Sequence, residues 1–332
     1  MTSIYRSCFL TAFFFLLFSL QSFANSVEQL SSIANSAKWK LLLHVDQRGK
    51  AQIEDPKFLL SANDFSLENE LRATLKILSA SQQKAFCRFP ARAVFLNRKL
   101  DLGLDESALQ RCSELVEFSN YVPFDELSLI FASEVVSSAS SMMGHIFFKA
   151  EGVNVNSNVV THSLAYFTEI STINPFKLIY ESTYAGMGGF FSVRPFDRDL
   201  SKYLQEEQRN LWEYKLTASK QELRLFQLHL WELKGLDIKY LFQSYNCATM
   251  TLELLALLEP EILSKRTSIV TPVDVVKATI DSKLVSNTQV EVSDLWLYHL
   301  IRDELSTEQM AFASELLDKS VPLGETDIEP TV

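Results

Sequence analysis

Apolar and polar residues alternate along this chain with two different periods, and the change of period divides it. From Ser26 to about Asn120, apolar residues recur every three to four positions, the spacing of a helix that buries one face. "SVEQLSSIANSAKWKLLLHV" and "SLENELRATLKILSA" carry this pattern, the second opened by Ser66 with Glu68 and Glu70 behind it. "DQRGKAQIEDPKF" between them breaks it with Gly49 and Pro56 and predicts a loop. "FCRFPARAVFLNRKL" and "DESALQRCSELVEFS" predict two further helical segments.

Near Tyr121 the apolar runs become shorter. "LSLIFASEVV", "GHIFFKAE" and "NSNVVTHSLAYFTE" are rich in β-branched and aromatic residues and predict three strands. After Pro175 comes a glycine-bearing loop, "LIYESTYAGMGGFFSVRPF", and then an expected helix over "LSKYLQEEQRNLWEYKL". "SKQELRLFQLHLWELKGL" predicts an amphipathic helix, with Ser219 and Glu222 as a capping box and Gly235 as its stop. In "QSYNCATMTLELLALL", Asn246 is a good N-cap, Cys247 stands at the helix mouth, and Met250, Leu254, Leu255 and Leu258 follow at helical spacing. Beyond Pro272 the pattern again predicts helix and ends in an acidic tail, "VPLGETDIEPTV". Helices, then a few strands, then helices predict an α+β layout. The expected organisation is a leader over 1–24, a helical N-terminal domain over 25–120, a mixed domain over 121–285, and a C-terminal helical segment with its tail over 286–332.

The leader sets the compartment. Arg6 precedes "CFLTAFFFLLFSLQSF", which ends in Ser22-Phe23-Ala24, so a secretory signal peptide cut after Ala24 is expected. No later stretch has the apolar length of a membrane span, so the mature chain is read as having no integral membrane segment. The formal net charge is −10, and it becomes −11 once Arg6 is removed. An acidic exported chain without a basic tract argues against nucleic acid as a partner.

Four cysteines occur, and Cys8 lies in the leader. In an oxidising compartment, the remaining three imply one pair and one leftover thiol. Cys87 and Cys112 share the helical region and make the natural pair, which leaves Cys247. A thiol at a helix N-terminus lies close to unpaired N–H groups and the positive end of the helix dipole, which favour the thiolate. Cys247 therefore reads either as a buried packing residue or as a nucleophile.

A nucleophilic thiol needs a base, and the base needs a group to orient it. His44, His229 and His299 sit in helical segments beside Leu or Trp and read as structural. His145 begins the strand "HIFFKA" after "SASSMMG", and alternation puts His145, Phe147 and Lys149 on one face and Ile146 and Phe148 on the other. His162 lies in the next strand and would orient His145 if both rings shared a face; Thr161 or Ser163 takes that place if the register slips by one. No HExxH, CxxC, P-loop or Gly-x-Ser-x-Gly is present, so neither a metal nor a cofactor is expected. "GMGG" over Gly186–Gly189 reads as backbone approaching something closely, either a substrate or a neighbouring strand. "RNLWEY" reads as a packing helix, although its Arg209 is also a candidate for a phosphate or carboxylate.

Taken in order, "SSMMGH", "GMGGFFSVRPF", "RNLWEYKL", "LHLWEL" and "YNCATMTLELL" resemble the blocks of the Lnb-type periplasmic domain family. "WKLLLH", "DPKF", "ELRATL" and "FCRFPARAVFL" resemble the helical region that precedes that domain in Gram-negative members, so the likeness runs from about Trp39 to Val276. It implies a periplasmic protein whose region 121–285 is a catalytic domain. The implied fold is permuted papain-like, of the NlpC and lecithin retinol acyltransferase kind, with the histidine strand ahead of the nucleophile helix. The family's Gly-His and Asn-Cys motifs fall on Gly144-His145 and Asn246-Cys247. The founding enzymes are lipoprotein N-acyltransferases; the lack of spans in this chain leaves the lipoprotein substrate open.

The expected chemistry is a thioester on Cys247, with His145 as acid and base, His162 orienting it, and the Cys247 N–H with Tyr245 or Asn246 holding the oxyanion. Gly186, Gly188, Gly189, Phe190 and Arg209 are the groove candidates, with Phe147 and Phe191 as apolar walls. The substrate would be an ester or amide of an envelope lipid or lipoprotein. A peptidoglycan amidase or endopeptidase with the same triad, and a non-catalytic envelope binding protein, are the competing readings.

Overall fold

The computed structural model describes residues 28–79, 83–134, 144–168, 172 and 174–318. The expected leader over 1–24, most of the approach to His145 and the tail over 319–332 lie outside the described residues.

The N-terminal part is helical, as its periodicity predicts. Residues 28–35 are followed by α1 (Ala37–Leu42), α2 (Leu67–Ser79), α3 (Gln83–Arg88), α4 (Pro90–Leu100) and α5 (Ser113–Tyr121). Ser66 caps α2 by accepting from the Asn69 N–H, and Pro90 opens α4, where a missing N–H costs nothing. Cys87 in α3 is bonded to Cys112, just ahead of α5, with the Cα atoms 5.4 Å apart, as the cysteine arithmetic anticipates.

A seven-stranded antiparallel sheet follows. Its strands are β1 (Glu126–Ala132), β2 (His145–Val153), β3 (Val159–Thr168), β4 (Met187–Pro195), β5 (Leu211–Leu216), β6 (Ile238–Tyr240) and β7 (Val285–Glu291), in the order β6-β4-β3-β2-β1-β5-β7. The remaining helices are α6 (Pro175–Tyr180), α7 (Phe196–Ser201), α8 (Lys220–Leu233), α9 (Cys247–Leu255), α10 (Pro272–Asp281), α11 (Asp294–Glu304) and α12 (Thr307–Asp318). The architecture is α+β. Among the described residues no helix is long and apolar enough to cross a membrane.

The pleat gives the sheet two buried faces. Ile146, Phe148 and Ala150 of β2 and Leu164 and Tyr166 of β3 join α8, α9 and the N-terminal helices in one large core. Phe147, Ala165, Ile130 and Ala132 point the other way and pack beneath Phe196 and Tyr203. The helical N-terminal part and the sheet therefore share a core on the first face.

Two elements depart from the sequence reading. The helix expected through "LSKYLQEEQRNLWEYKL" ends early: α7 gives way to a π-turn over Lys202–Glu206, and "LWEYKL" is strand β5. Gln208 takes a left-handed φ of 55°, which stops the helix, and Leu211, Tyr214 and Leu216 are buried as β5 pairs with β1. Beyond α10 the chain forms β7 before returning to helix, and this polar edge strand has almost no burial from which to read it.

"GMGG" proves to be a strand entrance. Gly186 turns the chain at φ +83°, and β4 starts at Met187. A Cβ on Gly189 would overlap the Tyr166 hydroxyl and come within 2.7 Å of the Ile238 carbonyl oxygen, so the close approach is made by β3 and β6. Gly189→Ala is expected to lose about 1–3 kcal/mol through overpacking. Gly188→Ala, with nothing within 4 Å of its Cβ, should leave the urea midpoint nearly unmoved. Equal midpoints for the two variants would contradict this packing.

Candidate functional site

Cys247 is the first residue of α9, and the cap is well made. Asn246 Oδ1 accepts from the Thr249 N–H at 2.9 Å, while Asn246 Nδ2 donates to the Phe242 and Val270 carbonyls at 2.8 and 3.2 Å. The side chain proposed to help an oxyanion is therefore occupied in holding the turn. Tyr245 is also committed: its N–H donates to the Leu241 carbonyl and its hydroxyl points into a buried polar cluster.

The Cys247 residue is 7% exposed and its thiol is free. Burial pushes the thiol upward; the Tyr240 hydroxyl and the N–H groups of Ile146, Ala248 and Cys247 itself pull it back. The Cys247 N–H also donates to Tyr240 Oη at 3.4 Å. Tyr240 is the polar side chain that sequence reasoning missed. It lies on the three-residue strand β6 seven positions upstream, and only the pairing of β6 with β4 carries it to the thiol. Around it stand Tyr166 and Phe242, with ring centres 5.2 and 5.3 Å away.

The histidines are arranged differently from the expectation. His145 lies on the opposite sheet face from Cys247, stacked on Phe167 at 4.8 Å and Phe147 at 5.6 Å, with Tyr203 at 6.5 Å. Its ring and the Cys247 side chain therefore face different cores, although the next residue, Ile146, brings its N–H to the sulfur. Burial, reinforced by Arg209, Arg194 and Lys202, pushes His145 down to about 3, so the ring is neutral. Its Nε2 is buried without a partner.

His162 does not orient His145. It pairs with Ala150, five positions further along β2, and sits on the Cys247 side of the sheet with its ring edge-on to Tyr121 at 4.5 Å. A one-residue slip does not rescue the idea, because the register sets Ser163 opposite Lys149 and Thr161 opposite Glu151.

The groove candidates also separate. Phe190 pairs with Phe167 on the His145 face, while Phe191 pairs with Tyr166 on the other, so Phe147, Phe190 and Phe191 do not line one wall. Arg209 is not a free cation. Its Nε donates to the Ser133 carbonyl at 2.6 Å, Nη2 to the Ala132 carbonyl at 2.9 Å, and Nη1 to Glu207 at 2.8 Å. It fastens the start of β5 to the end of β1. No group of three or more His, Cys, Asp or Glu side chains among the described residues converges as metal ligands.

The sulfur thus sits at a helix mouth near the Tyr240 hydroxyl, and that hydroxyl and the neighbouring N–H groups favour the thiolate against the effect of burial. Such an arrangement stabilises negative charge on sulfur or on an adjacent carbonyl oxygen. A family model described as the Lnb N-terminal periplasmic domain matches residues 114–282, just over half of the 332-residue chain. A domain of unknown function (DUF7843) matches residues 31–99. No curated protein and no solved structure matches the chain. The chain belongs to the Lnb N-terminal periplasmic domain family.

Proposed function

We propose that this periplasmic protein is a cysteine-dependent acyl-transferring or acyl-hydrolysing enzyme of the cell envelope, with Cys247 as the nucleophile. The observation that carries the reading is a free thiol on the first residue of a capped helix, in a chain with a disulfide elsewhere, with the Tyr240 hydroxyl held against its backbone N–H. The thiol attacks a carbonyl carbon of an ester or amide, the leaving group departs with a proton, and the acyl group rests on sulfur as a thioester. An amine or water then takes the acyl group and returns the thiol. The Cys247 N–H, which donates to Tyr240 Oη in the resting site, and the Tyr240 hydroxyl both turn to the negative carbonyl oxygen, each donor contributing about 3–4 kcal/mol.

The surroundings favour an acyl chain over a peptidoglycan stem. Tyr240, which meets the Cys247 N–H, is flanked by the rings of Tyr166 and Phe242. Phe176, Ile179, Tyr180 and Tyr184 project from α6 and the turn after it with exposures of 61–82%. This segment is tied to the loop leading to Cys247, because the Phe242 N–H donates to the Ser182 carbonyl at 3.1 Å. An exposed apolar patch beside a nucleophile suits a lipid.

His145 enters this mechanism only by turning from its aromatic stack to the Cys247 side of β2. In the stack its Nε2 is buried without a partner. The stacked position, together with the raised thiol, favours a second reading in which the protein binds an envelope lipid without chemistry.

Intact-mass detection after incubation with a lipopeptide or phospholipid decides between them. The enzyme reading expects an added acyl mass on Cys247, absent in Cys247→Ala and reduced at least about 100-fold in rate in His145→Ala, the scale of a lost general base. Binding without an adduct in wild type supports the second reading, and adduct formation at an unchanged rate in His145→Ala removes His145 from the mechanism.

A further inference from the structure

A buried chain of polar side chains runs from the N-terminal helical part to the turn that holds Cys247. His44, just past the end of α1, is 2% exposed and sits in the left-handed region at φ 49°. Its Nδ1 lies 2.9 Å from Glu253 Oε2 and 3.1 Å from Tyr245 Oη. Its Nε2 lies 3.0 Å from Nε2 of His229 on α8. Tyr245 Oη donates to Glu253 Oε2 at 3.2 Å, and Arg266 donates to Glu253 Oε1 at 3.0 Å. One tautomer satisfies the contacts: His44 Nδ1–H donates to Glu253, and His44 Nε2 accepts from His229 Nε2–H.

A non-glycine residue at positive φ costs free energy that neighbouring structure must offset. Here the backbone is held by the Gln52 N–H donating to the His44 carbonyl at 2.8 Å. The strain puts the ring where it meets both Glu253, on the nucleophile helix, and Tyr245, two residues before the nucleophile. Tyr245 precedes the helix mouth, and Glu253 is the seventh of the nine residues of α9. His44 belongs to the segment matched as a domain of unknown function, and Tyr245 and Glu253 belong to the Lnb-type domain.

We propose that His44 is a positioning residue for Cys247, so that the N-terminal segment completes the thiol site from behind. By fixing Tyr245 against Glu253, His44 holds the start of α9 in the geometry that aims N–H groups at the sulfur. The proposal deepens the thiol-enzyme reading, but its test needs no acyl substrate.

The measurement is the rate of Cys247 alkylation by iodoacetamide against pH, in the full-length exported chain, followed by intact mass. Tyr240 and Tyr166 face the thiol from β6 and β3 and are left unchanged throughout. His44→Leu is expected to raise the alkylation midpoint by about one pH unit, slowing alkylation about tenfold at neutral pH. Tyr245→Phe, which keeps the ring and cuts the link, moves it the same way. His44→Gln, which retains a donor toward Glu253, restores most of the wild-type profile. Leu71→Ala, a core truncation in α2, is the control for lost stability alone. If His44→Leu fails to fold, Tyr245→Phe decides by itself. An unmoved midpoint in Tyr245→Phe, or the same shift in Leu71→Ala as in the link variants, overturns the proposal. Normal alkylation with no acyl adduct would sink the enzyme reading and leave this one standing.

Discussion

Arg92→Met is expected to destabilise the protein by about 3–5 kcal/mol, the scale of breaking a buried ion pair from one side. Arg92 of α4 is fully buried, with Nη1 2.9 Å from Glu70 Oε1 and Nε 3.2 Å from Glu232 Oε2, both carboxylates equally buried. Its own N–H donates to Glu232 Oε1 at 3.0 Å, and its guanidinium lies 4.4 Å from the Phe58 ring centre and 4.7 Å from that of Phe89. Methionine fills much of the volume, so the loss comes from two carboxylates left without a cation. Glu70 keeps the N–H groups of Leu60 and Ser61 and the Ser61 hydroxyl, whereas Glu232 keeps only the Arg92 N–H among the hydrogen bonds seen here. Adding Glu70→Gln and Glu232→Gln to Arg92→Met should recover more than half of the loss by removing both charges. Urea unfolding with the disulfide intact measures each step. A single-variant loss below about 1 kcal/mol would mean that the charges are not sealed from water.

Acid should destabilise the fold well before its carboxylates titrate. His229 is fully buried and His145 is partly buried with its Nε2 sealed from water, and burial pushes them from 6.5 to about 4 and about 3. In the folded protein both rings are neutral through mildly acidic pH; in the unfolded chain they take up protons below about 6.5. The unfolded state then binds more protons, so stability falls as pH falls. The loss begins near pH 6.5, continues to about pH 4 for His229 and to about pH 3 for His145, and reaches about 1.4 kcal/mol per pH unit for each ring. At pH 5 the pair should have lost about 4 kcal/mol relative to pH 7.5. Urea midpoints at pH 7.5, 6.5, 5.5 and 4.5 give the slope. His145→Phe, whose ring suits the Phe147 and Phe167 stack, should remove close to half of it. A flat profile between pH 6.5 and 4.5 would show that neither ring is held neutral.

The second prediction bears on function. A neutral, stacked His145 is stable where it stands, so the proposed enzyme reading requires substrate or a change in the aromatic stack to bring it to Cys247.

Much of this architecture can be read from periodicity and local chemistry. The Cys87–Cys112 pairing, across 25 residues, follows from counting, whereas the helical N-terminal part, strands β1 to β3, the capping box of α8 and the Asn246 cap follow from residues within a short run of one another. Local signals decide such features because their partners are close in sequence. β7 escaped, since its polar, exposed residues carry no alternation, and β5 was misread because Leu211, Tyr214 and Leu216 fit a helical face as well as a strand.

The site was legible in one residue and not in its surroundings. The Asn-Cys pair at a helix mouth marks Cys247 in the sequence. Its neighbours depend on strand register and on which sheet face each side chain takes. Tyr240 reaches the thiol through the pairing of β6 with β4, His145 stacks on the far face because its neighbour Ile146 takes the near one, and His162 falls five positions from where it was wanted. His44 and His229 are 185 residues apart, and each looks like an ordinary helix histidine until the fold sets their nitrogens 3.0 Å from each other. Sequence by itself determined the elements, the disulfide and the free thiol, because each rests on short-range periodicity or on counting. Tertiary structure alone decided which polar groups meet, because a pairing shift of one residue sends every side chain of a strand to the opposite face.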